Sequence, residues 1–313
     1  MNSQTPLVTV LMPVYNGSKY LGEAIESILN QTFNDFEFLI IDDKSKDNSV
    51  EIIRSYNDQR IRLIQNNENI GQSLTLNRGI RLSTGRYVAR LDQDDISLPN
   101  RLKAQFEYME KKPWIGLLCC QVWDVDENRK FISTKKKPVS HHQNMWKLLY
   151  HCSLYHPTVF IRKCVLSNIK PYDKNYAPCA DYELWSRLIY RVKVEQINEV
   201  LVHRRIHDEM GSIKRKQKGT RKSYIISKRA IKRTFFISDF FDLFFDQYVH
   251  IKVSGRKSSK IKKFLGAFQA IWLYYFFFFR FNVNCNDREW IKNDLLIKLY
   301  PNLIREMVGF LLR

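Results

Sequence analysis

LVTVLMPVYNGSKYLGEAIESILNQTFNDFEFLIIDDKS, residues 7–45, contains a complete strand–helix–strand unit with the loop at each strand end. Leu7–Pro13 is an apolar, β-branched run of the kind that fills a buried strand. Ser18–Gln31 puts Tyr20, Leu21, Ala24, Ile25, Ile28 and Leu29 at helical spacing, with Ser18 as the predicted N-cap. Phe36–Ile41 is the second strand. Moving outward, Asp47–Tyr56 reads as a helix, Ile61–Gln65 as a strand, Ser73–Leu82 as a helix and Tyr87–Leu91 as a strand. Alternation at this pace predicts βαβ units: an α/β, Rossmann-like fold with a mostly parallel central sheet flanked by helices. From Leu102 to Gly211 the pattern is less regular, with strand-like Ile115–Val122 and Thr158–Ile161 and a helix at Asp181–Tyr190.

Open parallel sheets bind ligands beyond the carboxyl ends of their strands. The first strand ends in Pro13-Val14-Tyr15-Asn16-Gly17, the second in Asp42-Asp43-Lys44-Ser45, and a later one in Asp92-Gln93-Asp94-Asp95. All three clusters are therefore predicted on one edge. Three carboxylates crowded into four residues disfavour one another's ionisation, and a hard divalent cation, Mn²⁺ or Mg²⁺, relieves that. Such a cation suits a diphosphate leaving group. The same string also reads as a solvated acidic turn capping the helix after Pro99, a role in which Asp95 is the natural candidate. Asp43 suits acceptance of a hydrogen bond from a base or ribose, or the capping of the following helix. Tyr15 suits stacking on a base, or a place in the core.

Downstream, Asp181 opens an amphipathic helix, CADYELW, where a carboxylate serves as general base or as N-cap. His207, in RIHD, is a candidate third metal ligand or a structural histidine. The six cysteines at 119, 120, 152, 164, 179 and 285 include no CxxC pair, which excludes a zinc ribbon. With no basic n-region or cleavage site at the N-terminus, reduced thiols in the cytoplasm are expected.

The net charge of +19 is unevenly spread. Residues 213–313 carry 22 Lys+Arg against 7 Asp+Glu, on an otherwise near-neutral chain. Within them, FLGAFQAIWLYYFFFF (264–279) spans ~24 Å as a helix, short of the ~30 Å hydrocarbon core. A basic stretch beside an aromatic one predicts attachment to an anionic membrane surface, with packing on the main domain as the alternative. Nucleic-acid binding lacks any reading motif here.

Taken together, the strings VTVLMPVYNG, YLGEAIESILNQTFNDFEFLIIDDKSKDNS, NIGQSLTLNRGI, GRYVARLDQDDISLPNRL, HPTVFIR, ADYELWSRL and RIHDEMGSI resemble the family 2 glycosyltransferases of the GT-A fold, bacterial surface-polysaccharide type. They span residues 8–213. The resemblance implies a nucleotide-sugar-binding half (1–101) and an acceptor-binding and catalytic half (102–212), and the change of composition after Gly211 sets off a helical C-terminal extension (213–313). The resemblance assigns donor contacts to Pro13, Tyr15, Asp43, Gly71, Arg78, Asp92 and His156. Asp94 and His207 are implied metal ligands, with Asp92 in support, and Asp181 the implied catalytic base. The family's usual Glu before that base is Ala180 here, which bears on acceptor choice.

The implied activity is inverting, metal-dependent transfer of a hexosyl or N-acetylhexosaminyl group from a nucleotide sugar, UDP being the commonest carrier. The implied acceptor is a saccharide or lipid-linked saccharide at the inner face of the cell membrane. The absence of a QxxRW string points to a non-processive enzyme. A non-catalytic nucleotide-sugar-binding module and a nucleotidyltransferase are the competing readings.

Overall fold

Val8–Val14 (β1) is buried along its whole length, as an apolar run between two parallel neighbours must be. The computed structural model describes residues 5–134, 136–210, 216–235 and 275–294. β1 pairs in parallel with β2 (Phe36–Asp42) on one side and β4 (Tyr87–Arg90) on the other, and β2 continues to β3 (Ile61–Gln65). Pro13 fits this central strand for a geometric reason. Even-numbered residues of β1 bond β2, as in Asp43 N–H to Val14 C=O, whereas odd-numbered ones face β4. β4 pairing ends at Leu11↔Arg90, so the N–H that Pro13 lacks has no strand to serve.

The order β3-β2-β1-β4 continues through β8 (Phe160–Arg162), β6 (Ile115–Val125), β9 (Lys193–Arg205) and β5 (Ile96–Ser97), with β7 (Phe131–Ser133) paired to β6. β8 runs antiparallel to β4 and β6, and β9 runs parallel to β6. β1, β2, β3, β4, β6 and β9 therefore all end on the same edge. The predicted α/β architecture, a curled and mostly parallel sheet flanked by helices, holds. β9 and the tiny β5 were not read from sequence. KVEQINEVLVHRR shows no clean alternation because its register against β6 shifts at Cys120/Gln121 and Gln121/Val122.

α1 (Ser18–Leu29) buries Tyr20, Leu21, Ala24, Ile25 and Ile28 against one sheet face, the face the spacing predicted. Ser18 is not its cap. Gly17 holds the N-cap position, and the Ser18 N–H is satisfied across the loop by Asp47 Oδ2 at 2.9 Å. Asp47 correspondingly stands outside α2 (Ser49–Arg54), where it also accepts from Ser49 N and Oγ. Burial alone would raise the Asp47 pKa, but the bonds from Ser49 and Ser18 outweigh it and hold the carboxyl below its ordinary range. α3 (Gln72–Leu82) covers the other face. α4 (Arg101–Lys111), α5 (His141–Leu148), α6 (Lys163–Ser167) and α7 (Ala180–Leu188) complete the layers.

The described part of the C-terminal region packs on this body. α8 (Lys216–Phe235) buries Ile226, Ala230 and Ile231 in the same cluster as Trp185 and Leu188 of α7. It is tied down by Cys179 Sγ to Gly219 C=O at 3.4 Å and by Ser227 Oγ to Leu149 C=O. α9 (Cys285–Asn293) docks on α5: buried Asp287 accepts from Ser140 Oγ at 2.7 Å and Gln143 Nε2 at 2.9 Å, and Asp294 pairs with Lys147. Most of the aromatic run 264–279 lies outside the described residues. Within residues 275–281, Phe277 and Phe278 are buried, while Tyr275 and Phe279 are exposed. Among the described residues no helix is long and apolar enough to cross a membrane.

α8 is thus a load on the main core. Ile231→Ala is expected to cost about 2–4 kcal/mol in urea unfolding. An unchanged midpoint would show that α8 is a detachable appendage.

Candidate active site

β4 ends at Arg90, and the four residues after Leu91 are the acidic cluster. Topology decides what meets it. β5 follows at once and pairs antiparallel with β9, Ile96↔His203 and Ser97↔Val202, so the last turn of β9 lies over the cluster. His207 Nε2 is 2.9 Å from Asp94 Oδ2. Arg205 donates its backbone N–H to buried Asp95 Oδ1 at 2.9 Å and its Nε to the Asp94 carbonyl at 3.1 Å. Asp95 is therefore no cap for α4, whose N-cap is Asn100; it is a buried acceptor for β9.

Asp92 is gripped from behind by Arg90, whose fully buried guanidinium spans both carboxylate oxygens, one at 2.8 Å. One oxygen from each of Asp92, Asp94 and Asp95 lies within 4.8 Å of the others. Burial pushes the Asp92 carboxyl up, Arg90 pulls it back and Asp94 adds repulsion. Asp95 is driven well up by burial, then by Asp94 and Asp92. A hard-oxygen triad with uncompensated charge, an imidazole at its rim and no softer donor fits Mg²⁺ or Mn²⁺.

The β1 and β2 loops share the edge. Gln93 clamps Tyr15 at both backbone atoms, accepting from its N–H at 2.8 Å and donating to its carbonyl at 3.1 Å. A Cβ on Gly17 would lie 2.5 Å from the Gln93 side chain, so a larger residue there would displace the Gln93 amide from Tyr15. Tyr15 is exposed. Asp43 is buried, with Asn66 Nδ2 at 2.7 Å and Ile70 N at 2.9 Å on Oδ1, and Gly71 N at 2.8 Å on Oδ2. Three donors leave room for about one more. Asp43 thereby fixes the loop before α3, where Gly71 adopts φ 84° with open space around it. Arg78 braces the same loop through Asn66 Oδ1 and the Gln65 carbonyl.

On the α7 side, Asp181 stands half-buried in the first turn, with Cys152 Sγ 4.0 Å from Oδ2. Burial raises its carboxyl, while the Tyr182 N–H and Arg90 oppose that. His156 Nε2 lies 2.9 Å from Tyr172 OH, and burial, then Arg90, hold its imidazole well below its ordinary range. Arg90 acts electrostatically on Asp92, Tyr172 and Asp181 together, which ties the α7 side to the acidic cluster. Of the residues read from sequence, Asp92, Asp94 and His207 meet directly, and Asp181 and His156 join them through Arg90. Pro13 lies within β1 and Arg78 within α3, while Asp43 and Gly71 stand in the loops beside the cluster.

Arg90, Gln93, Tyr172 and Arg205 were not anticipated. Arg90 left a trace, since it is a cation in a strand buried on both faces, two residues before the first carboxylate. Tyr172 and Arg205 left none, because distant segments bring them in.

A parallel half with an acidic edge, closed by a mixed half that delivers a helix-borne carboxylate, is the GT-A class of fold. Residues 9–170 match the model of glycosyl transferase family 2. An uncharacterized glycosyltransferase of Methanocaldococcus jannaschii is 37% identical over 229 residues, 71% of this chain and 79% of that one. The putative glycosyltransferase EpsE of Bacillus subtilis is 42% identical over 114 residues, 36% of this chain and 41% of EpsE. The chain belongs to glycosyltransferase family 2.

Among solved structures, residues 1–349 of Staphylococcus aureus TarS with UDP-GlcNAc superpose with a TM-score of 0.58 at 16% identity, covering 92% of this chain and 90% of that one. This chain spans 55% of the longer TarS structure. The Pyrobaculum calidifontis mannosyltransferase PcManGT, solved with GDP-Man and Mn²⁺, gives 0.57 at 14% identity, covering 93% and 84%.

The raised Asp95 pKa has a measurable consequence. A carboxyl that holds its proton more tightly folded than unfolded makes the fold less stable as pH climbs from about 4. Asp95→Asn removes the charge and keeps an oxygen for the Arg205 N–H. In chelator, the variant should be more stable than the parent at pH 8, with the gap shrinking toward pH 4.5. A less stable variant at pH 8 would contradict this electrostatic picture.

Proposed function

We propose that the chain is an inverting, metal-dependent, non-processive glycosyltransferase that moves a hexosyl or N-acetylhexosaminyl group from a nucleotide sugar to a saccharide acceptor. The observation that carries the proposal is the half-buried Asp181 carboxylate within the field of Arg90 and Asp92, across from the acidic edge. The nucleoside of the donor lies along the β1 and β2 ends, beside Tyr15 and Asp43, with the Gly71 loop and Arg78 behind it. UDP is the favoured carrier. The TarS and PcManGT complexes with UDP-GlcNAc and GDP-Man support a nucleoside-diphosphate sugar without choosing between the two bases.

Asp94, with Asp92 and His207 beside it, would hold Mn²⁺ or Mg²⁺, whose charge stabilises the departing nucleoside diphosphate. Arg90 keeps Asp92 oriented and helps keep Asp181 ionised. Asp181 takes the proton of the acceptor hydroxyl as that oxygen attacks the anomeric carbon from the face opposite the diphosphate. The configuration at that carbon inverts. His156, held neutral and bonded to Tyr172, lines the sugar side of the site.

The acceptor is a saccharide or lipid-linked saccharide of cell-surface polysaccharide assembly, at the inner face of the membrane. The basic segment 213–313 supports that location, as do the exposed Tyr275 and Phe279 beside Arg280. With the described helices packed on the main body, their exposed faces would meet the membrane as a fixed part of the protein.

Asp181→Asn is expected to bind donor as the parent does and to lose about 10²–10⁴ in transfer rate, the usual worth of a positioned general base. Parent activity should rise with pH through a pKa above the ordinary carboxylate range. Near-normal turnover by Asp181→Asn, measured against the acceptor, would sink the assignment.

A further inference from the structure

Lys44 occupies the left-handed backbone region, φ 63°, at the carboxyl end of β2. Asn16 shares that conformation nearby, but asparagine tolerates it, whereas a long side chain does so only when its surroundings enforce it. The surroundings do enforce it here. Ser45 N–H bonds Asp42 Oδ1 at 3.2 Å, Lys46 N–H bonds Asn16 Oδ1 at 2.8 Å, and Asn16 N–H bonds Ser45 Oγ at 3.0 Å. On the other side Asn69 Nδ2 holds the Asp43 carbonyl at 3.2 Å. The backbone of residue 44 is thus pinned from both flanks. Its side chain is exposed, and among the described residues its ammonium makes no hydrogen bond or ion pair. Among the described residues nothing uses this lysine's ammonium, yet the fold holds the residue in a conformation that glycine would adopt more cheaply.

Its position suggests what the ammonium meets. β1 separates β2 from β4, so Lys44 and the acidic cluster stand on strand ends ~10 Å apart. A diphosphate anchored at the cluster leaves its nucleoside, not its phosphates, at the end of β2. Two side chains there have opposite hydrogen-bonding character: Asp43 accepts and Lys44 donates. Uracil and guanine present a ring N–H next to a carbonyl oxygen, which matches that pair. Cytosine and adenine present an amino donor next to a ring nitrogen acceptor, which matches it in the opposite order, so the pair sets how a base lies here rather than which base it is.

We propose that Lys44 is a donor-binding residue whose ammonium hydrogen-bonds an acceptor atom of the nucleotide base beside Asp43. The proposal rests on the reading that a nucleotide sugar lies along this edge.

The test is calorimetric titration of the full chain with UDP, GDP, CDP and ADP, and with the monophosphate of whichever base binds best, in Mn²⁺. The parent should bind at least one of the four, and the tightest of them is the preferred diphosphate. Lys44→Gly should weaken that preferred diphosphate about tenfold, the range of a hydrogen bond to a charged group. The monophosphate should lose the same factor. Lys44→Gln, which still donates from an amide, should recover part of the loss. In thermal melts without ligand, Lys44→Gly should be at least as stable as the parent, which separates lost recognition from lost structure. Unchanged affinity in Lys44→Gly overturns the proposal. So does a loss confined to diphosphates, which would assign the ammonium to phosphate. A parent chain that binds none of the four diphosphates contradicts the nucleotide-donor reading itself, a result separate from a variant that binds as well as its parent.

Discussion

Three carboxylates within 4.8 Å of one another, at the end of a buried strand, cannot all stay charged without help. Much of the molecule is arranged around that constraint. Arg90 neutralises Asp92 from inside the sheet, and Arg101, itself fully buried, holds the Arg90 carbonyl at 2.6 Å. The β5–β9 pairing brings Arg205 and His207 over Asp95 and Asp94. Arg204, paired with Asp124 at 2.8 Å, adds a positive field to Asp92 and Asp95. These cations orient the cluster but do not balance it, since Asp92 and Asp95 still hold their protons more tightly than ordinary carboxyls. In the proposed chemistry a divalent cation and a diphosphate would complete the balance, which links the electrostatics of the fold to that chemistry.

The same edge is held together because each loop braces the next. Gln93, inside the acidic cluster, fixes the backbone of Tyr15, and Asn16 is bonded to Ser45 and Lys46 after β2. Asp43 then fixes Ile70 and Gly71 before α3. Four segments distant in sequence thus form one continuous rim, and a change in one is felt in the others.

Much of this was legible in the sequence, for identifiable reasons. Strands buried on both faces are near-continuous apolar runs, so β1, β2 and β4 declare themselves, and the edge rule then puts Tyr15, Asp43 and Asp94 together. The second half was less legible because β9 is bulged against β6 and mixes Glu, Gln, Asn, His and Arg with its apolar residues. Helix starts misled in a consistent way: Ser18 and Asp95 look like caps from their local strings, but their partners, Asp47 and Arg205, come from other loops. Buried cations such as Arg90 carry only a weak signal, because propensity treats arginine as a surface residue. At the C-terminus, composition gave the charge of 213–313 but not the contacts of Ile226, Ile231 and Asp287 that join the described helices to the body.

The central claim is that this edge binds a nucleoside-diphosphate sugar through a divalent cation. The most direct test incubates the purified full chain with a panel of nucleotide sugars and follows release of free nucleoside diphosphate, with Mn²⁺ present and with chelator. The account predicts slow release from at least one UDP- or GDP-linked sugar, abolished by chelator and restored by Mn²⁺. Release that ignores chelator, or pyrophosphate release from a nucleoside triphosphate in its place, would contradict it.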